Sequence, residues 1–185
     1  MKDIHIIELY FARSESAIEE THKKYGSYCT YIADNILHNR QDSEECVNDT
    51  YLRAWGAIPP KSPQNLRTYL GKITRGLAIN RYNLYSAEKR GGSSMDLILS
   101  ELECCVPDKT LVDDAINEAL LIKSIEAFLK RQSTQNRNVF LRRYWYCDAI
   151  SQIAKDLSMS ESKVTSILFR QRIKLKEYLE KEGIL

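Results

Sequence analysis

The chain has 185 residues, 43% of them hydrophobic and 28% charged, with a formal net charge of +2. This is enough for packed cores in one domain or two small ones; no stretch approaches the length of a membrane span, and the charged start Met1-Lys2-Asp3 has no signal-peptide character, so the expected location is cytoplasmic. Cys29, Cys46, Cys104, Cys105 and Cys147 are an odd set without a C-x-x-C pair, and His5, His22 and His38 are scattered, which speaks against a disulfide framework and a metal site; Cys46 and Cys147 read as small core residues.

Few glycines, few prolines and no alternating run predict an all-α chain. A short first helix covers Ile4 to Ala12. A second runs from about Ala17 to Leu37, with Ser16 and Glu19 at capping-box spacing and a packing stripe of Tyr25, Tyr28, Ile32 and Ile36. The third, from Asp42 to near Gly56, buries Val47, Tyr51, Ala54 and Trp55. On another face it carries Glu45, Asn48, Asp49 and Leu52, spaced i, i+3, i+4, i+7. An acidic face ending in one leucine reads either as a solvated surface or as a docking surface for a basic partner.

Three prolines in residues 58–65 make a loop, with Ser62 as cap and Pro63 opening the fourth helix. That helix runs to about Tyr85, with Leu66, Leu70, Ile73 and Leu77 inward and Lys72, Arg75, Ile79 and Tyr82 on another face. From Arg67 to Arg90 six bases stand against the single acid Glu88, interleaved with Tyr69, Tyr82 and Tyr85. Bases hold phosphates while rings stack on exposed nucleobases, a combination suited to single-stranded DNA. The same stretch also reads as a surface helix with core tyrosines.

Gly91-Gly92-Ser93-Ser94 breaks the chain, and an acidic segment follows, with seven acids and one lysine between Ser93 and Glu118. Its Leu97, Ile98, Leu99 and Leu102 suit a short helix or an extended docking peptide. From Ala119 onward thirteen Lys and Arg face seven Asp and Glu. The fold expected is all-α: two small helical domains, 1–92 and 113–185, joined by a flexible acidic linker over 93–112. Helices near 113–130 and 134–146, with Ser133 as a cap between them, lead into a helix-turn-helix. In it Ile153, Ala154 and Leu157 form one inner face, Ser158 and Met159 the turn, Ser160 the next cap, and Val164, Ile167 and Leu168 the facing stripe. Ser162, Lys163, Ser166 and Arg170 point outward, and Arg142, Arg143, Lys155, Arg172, Lys174 and Lys176 add positive charge, which favours DNA over a plain helix pair.

Asp42-Ser-Glu-Glu-Cys-Val-Asn-Asp-Thr-Tyr-Leu-Arg-Ala-Trp55 resembles the core-binding helix of bacterial sigma factors of the sigma-70 family, extracytoplasmic-function type. Tyr69–Tyr82 resembles the following helix, which in that family opens and reads the promoter box nearest the start site, and Arg143-Tyr-Trp-Tyr146 with the helix-turn-helix resembles the domain that reads the farther box. The resemblance implies that Glu45, Asn48, Asp49 and Leu52 bind the clamp of core RNA polymerase. It implies that Lys72, Arg75, Asn80 and Arg81, with the loop of residues 58–65, contact the near box of promoter DNA. It places Ser162, Lys163, Ser166 and Arg170 on the far box and threads the acidic linker through the polymerase active-site channel. An anti-sigma factor is a possible further partner; no cofactor, metal or catalytic residue is implied. Departures from the family pattern are Gly76, Asn80 and Asn83 in the fourth helix. The alternatives are a stand-alone helix-turn-helix regulator, which would not need the 42–55 helix, and a protein-only adaptor, which two separate basic helices disfavour.

Overall fold

In the computed structural model the described residues are 2–88, 98, 100–102 and 115–184, with residues 86–88 and 115–119 described in their backbone only. The Gly91-Gly92 break, Leu97, Leu99, Cys104, Cys105 and most of the expected linker lie outside the described residues. Among the described residues all regular structure is helical, and no helix is long and apolar enough to cross a membrane. The chain divides into two compact units, Met1–Gly91 and Gly92–Leu185.

The first unit holds α1 (Asp3–Phe11), α2 (Ser16–Leu37), α3 (Arg40–Ala57) and α4 (Leu66–Glu88). Helices α2, α3 and α4 pack against one another, and α1 lies on α2. The helix starts differ from the sequence expectation for local reasons. Ser16 is the first helical residue of α2 and makes no capping box. The carbonyls of Ser14 and Glu15 instead accept from the N–H groups of Ala17 and Ile18, at 2.9 and 3.0 Å. Helix α3 begins two residues before Asp42, because Asn39 Oδ1 accepts from the N–H groups of both Gln41 and Asp42. Helix α4 begins after Asn65, whose Oδ1 accepts from Thr68 N–H at 2.9 Å, and not at Ser62-Pro63.

The inward stripe of α4 is Leu66, Leu70, Thr74 and Ala78, with Gly71 beside it; Ile73 and Leu77 are only half-buried. Small residues let α4 approach its neighbours closely. A methyl added at Gly71 would meet the Tyr28 ring, 3.0 Å from Cζ and 3.1 Å from Cε1. Thr74 Oγ1 lies 2.9 Å from Leu70 O and 3.1 Å from Thr50 Oγ1, so the buried hydroxyls of α3 and α4 satisfy each other and the helix carbonyls.

The second unit holds α5 (Ala115–Arg131), α6 (Thr134–Tyr144), α7 (Ile150–Asp156) and α8 (Glu161–Lys181). Helix α8 is its centre, packed against each of the other three, and buries Val164, Ile167, Leu168, Gln171, Leu175 and Leu179. The turn between α7 and α8 is one C-cap running into one N-cap. Ser158 adopts φ 51°, Met159 N–H bonds Ala154 O at 2.8 Å and Ser158 N–H bonds Lys155 O at 3.3 Å, the two bonds of a Schellman ending. Two residues later Ser160 Oγ accepts from Lys163 N–H at 3.2 Å and starts α8. Ile153 and Ala154 are buried and face the α8 core, while Leu157 is half-buried. Ser133 caps α6 by accepting from Asn136 N–H.

Residues 100–102 and Ile98 are helical, and Ile98 is buried. Glu101 is held within the second unit. Its carboxylate accepts from Arg143 Nη2 at 2.7 Å, Tyr144 Oη at 3.0 Å and Arg172 Nη1 at 3.4 Å. A residue expected in a flexible acidic linker is thus anchored by donors from three side chains, because two arginines that are nearly out of water need a counter-charge.

Candidate functional site

The outer face of α3 presents Glu45, Asn48 and Leu52 to solvent, with Leu52 64% exposed, and Asp49 partly so. A leucine this exposed, next to acids, forms an apolar point in a charged surround. The acids are not independent of α4. Arg81 Nη2 lies 2.9 Å from Glu45 Oε1 and 3.7 Å from Asp49 Oδ2, and its Nη1 donates to Asp42 O at 3.1 Å. Burial of Arg81 disfavours its charge, but the hydrogen bond it donates to Glu45 and the carboxylates around it more than offset this and hold the guanidinium above its ordinary value. Tyr85 Oη donates to Asp42 Oδ1 at 3.2 Å, which raises the phenol above its usual range.

The four residues expected to meet the near box do not share one surface. Lys72 is exposed and Arg75 half-buried on one side of α4, while Asn80, also exposed, borders the side that faces α3. Arg81 comes nine positions after Lys72, about half a turn away at ~100° per residue, and it faces α3. There it lines a cleft of about 160 Å³ with Asp49, Asn80, Cys46 and Arg53. The structure therefore joins Asp49, from the expected polymerase set, to Asn80 and Arg81, from the expected DNA set. Burial pushes the Cys46 thiol up to about 11, which keeps it protonated and inert. Exposed Leu84, at the edge of this cleft, was not singled out from sequence, although it stands four residues after Asn80 and so lies on the same face.

On α8, Ser162, Lys163, Ser166 and Arg170 are all exposed, within an arc of about 100°. Arg170 Nε donates to Ser166 O at 3.1 Å, laying its guanidinium along the helix. Phe169 and Ile173, 56% and 43% exposed, lie on the same face; their spacing after Ser166 (i+3, i+7) was visible in the sequence but not used. The charge around this face is smaller than the sequence count suggests. Arg142 is paired with Asp148 and Asp156, and Arg143 and Arg172 with Glu101. Lys155, Lys163, Arg170, Lys174 and Lys176 remain exposed.

Among the described residues no group of three or more His, Cys, Asp or Glu is placed to hold a metal ion. No curated protein matches the chain. Residues 22–85, which span most of α2, all of α3 and most of α4 and carry both first-unit surfaces, match the family model described as Sigma-70 region 2.

Proposed function

We propose that the chain is a sigma factor of the extracytoplasmic-function type, a cytoplasmic protein that binds core RNA polymerase and directs it to promoter DNA. The observation that carries this reading is the outer face of α3, where Leu52 stands 64% exposed beside Glu45, Asn48 and Asp49 within the stretch matching region 2. A basic clamp with an apolar recess complements such a face: carboxylates pair at its rim and the leucine fills its centre. A stand-alone DNA-binding regulator has no use for it.

In this reading Lys72, Arg75 and Asn80 approach the near promoter box, and Arg81 acts mainly by fixing α4 against α3. The far box is read by α8, which enters the major groove with Ser162, Lys163, Ser166 and Arg170 toward base edges and phosphates. Residues 1–92 and 113–185 are the two working domains, and an anti-sigma factor could regulate either surface. The protein itself performs no catalysis; phosphodiester chemistry belongs to the polymerase.

The test is to mix the purified chain with core RNA polymerase, measure complex formation, and assay run-off transcription on a library of genomic fragments. Stable complex and transcription from a defined subset of fragments are expected. DNA binding without polymerase binding would replace this reading with the stand-alone regulator.

A further inference from the structure

We propose that residues 98–102 form a detachable strap, docked in a carboxylate-binding groove of the second unit, whose release lengthens the tether between the two units. Ile98, Glu101 and Leu102 are spaced i, i+3, i+4, which on a helix sets all three on one side. Ile98 is 2% exposed and Leu102 half-buried. Glu101 is received by α6 and α8: Arg143 Nη2 at 2.7 Å and Tyr144 Oη at 3.0 Å come from the first, and Arg172 Nη1 at 3.4 Å from the second. An apolar anchor and a carboxylate one turn apart are the two fixed points of a short docked helical segment.

Two observations make the strap separable from the unit that holds it. The groove is organised by the unit's own groups: Arg143 Nη1 donates to Asp148 O at 3.1 Å and Arg172 Nη1 to Tyr144 Oη at 2.8 Å. Neither guanidinium therefore loses every partner when Glu101 leaves, and both stay aimed at an incoming carboxylate. Glu101 also sits at the rim, 23% exposed, so water takes up its charge as it withdraws. Docking decides how much chain joins the units. Between Glu88, at the end of α4, and Ile98 stand the nine residues 89–97; between Glu88 and Ala115, at the start of α5, stand the twenty-six residues 89–114. A chain spans at most ~3.6 Å per residue whatever its conformation, so release raises the limit from about 30 Å to about 90 Å. The strap is joined to α5 through residues 103–114, and so short a connection holds it at an effective concentration on the order of millimolar at its groove. In the proposed function the two units act on two promoter boxes, and the strap then limits how far apart those boxes can lie. That consequence rests on the reading above, whereas docking and release do not.

The test uses the full chain without polymerase or DNA, so its failure is separate from that of the proposed function. Hydrogen exchange in the unaltered chain is followed by NMR. The amides of residues 100–102 are expected to exchange about tenfold or more faster than those of Leu168 and Leu175, buried in α8, because the strap opens without the unit unfolding. Equal rates make the segment a permanent part of the unit and overturn the proposal. A fluorescent peptide of residues 95–103 is then titrated into the parent and into a chain carrying Ile98→Asp and Glu101→Gln, with helix content followed by circular dichroism. The peptide is expected to bind the variant about tenfold or more tightly than the parent, whose groove is filled from within. A peptide carrying Glu101→Gln is expected to bind the variant about tenfold more weakly than the unaltered peptide, having lost the charge-assisted hydrogen bonds. Equal affinity for parent and variant, or binding to neither, overturns the docked strap. A variant whose second unit does not fold shows that the unit cannot exist without the strap, which overturns its release. Dyes at Lys23 and Lys176, both exposed, report the separation of the units by energy transfer. Lower transfer efficiency in the variant than in the parent is expected; an unchanged efficiency overturns the tether role.

Discussion

Exchanging Glu101 for glutamine measures how firmly the acidic segment belongs to the second unit. In the native chain its carboxylate faces Arg143 and Arg172, whose side chains are 8% and 18% exposed, and is itself 23% exposed. Removing one partner of a well-buried ion pair costs ~3–5 kcal/mol, mostly because the other charge is stranded. Two arginines would be stranded here, but each keeps another contact: Arg143 Nη1 donates to Asp148 O and Arg172 Nη1 to Tyr144 Oη. Glutamine also keeps one acceptor oxygen, so the expected loss is about 2 kcal/mol. For a unit of this size that corresponds to a fall in melting temperature of about 10 °C. Calorimetry of the full chain reads it, with the transition of the second unit moving and that of the first unchanged. A double-mutant cycle with Arg172→Met isolates the pair, and its two single losses should sum to more than the loss in the double variant. If Glu101→Gln melts with the parent, or the cycle is strictly additive, the segment is a tether and the pairing of Glu101 with Arg143 and Arg172 does not hold it.

Four other outcomes are expected. Gly76→Ala should stabilise the first unit by about 0.5–1 kcal/mol, since a methyl there meets nothing within 4 Å, whereas Gly71→Ala should destabilise it by driving Cβ into Tyr28; thermal melts showing the same sign for both would refute the packing argument. Leu52→Asp should abolish polymerase binding while leaving stability within about 0.5 kcal/mol, but Asp49→Arg should lower the melt as well, because it sets like charge against Arg81; pull-down and melting on the same samples separate the two. Cys46 should resist alkylation at pH 8 in the folded chain, since burial holds its thiol up at about 11, and react promptly in denaturant, as mass spectrometry would show. Asp3 is desolvated, but hydrogen bonds from Lys24 and Tyr25 outweigh this and hold its carboxyl below its ordinary value of 3.8. The stability it contributes should therefore be full above that value and lost as pH falls through the lowered one, and Asp3→Asn should flatten this part of the acid-unfolding curve.

Local signals in the sequence determined much of this protein. Helical spacing marked the α3 face and the α7–α8 pair, and Ser133 and Ser160 were readable as caps because a cap depends on residues three apart in the chain. The exposure of Ser162, Lys163, Ser166 and Arg170 followed from the same periodicity. What the sequence did not decide were properties of pairs distant in the chain. Arg81 counted as a free base until the fold brought it beside Glu45 and Asp49, thirty-odd residues earlier. Arg143 and Arg172 counted toward a DNA-binding surface until Glu101 was found between them. The inward stripe of α4 shifted from Ile73 and Leu77 to Thr74 and Ala78 because closeness of approach to α2 and α3, not hydrophobicity alone, chose which side turned in. Gln171 carried no sequence signal at all, since only burial distinguishes a glutamine with an orphan amide oxygen from an ordinary surface glutamine. A single chain fixes which residues share a helical face, because that depends on a rotation of ~100° per residue. Which charges are left for a partner is settled only when the helices pack, because electrostatic pairing acts over a few ångströms of space whatever the distance along the chain.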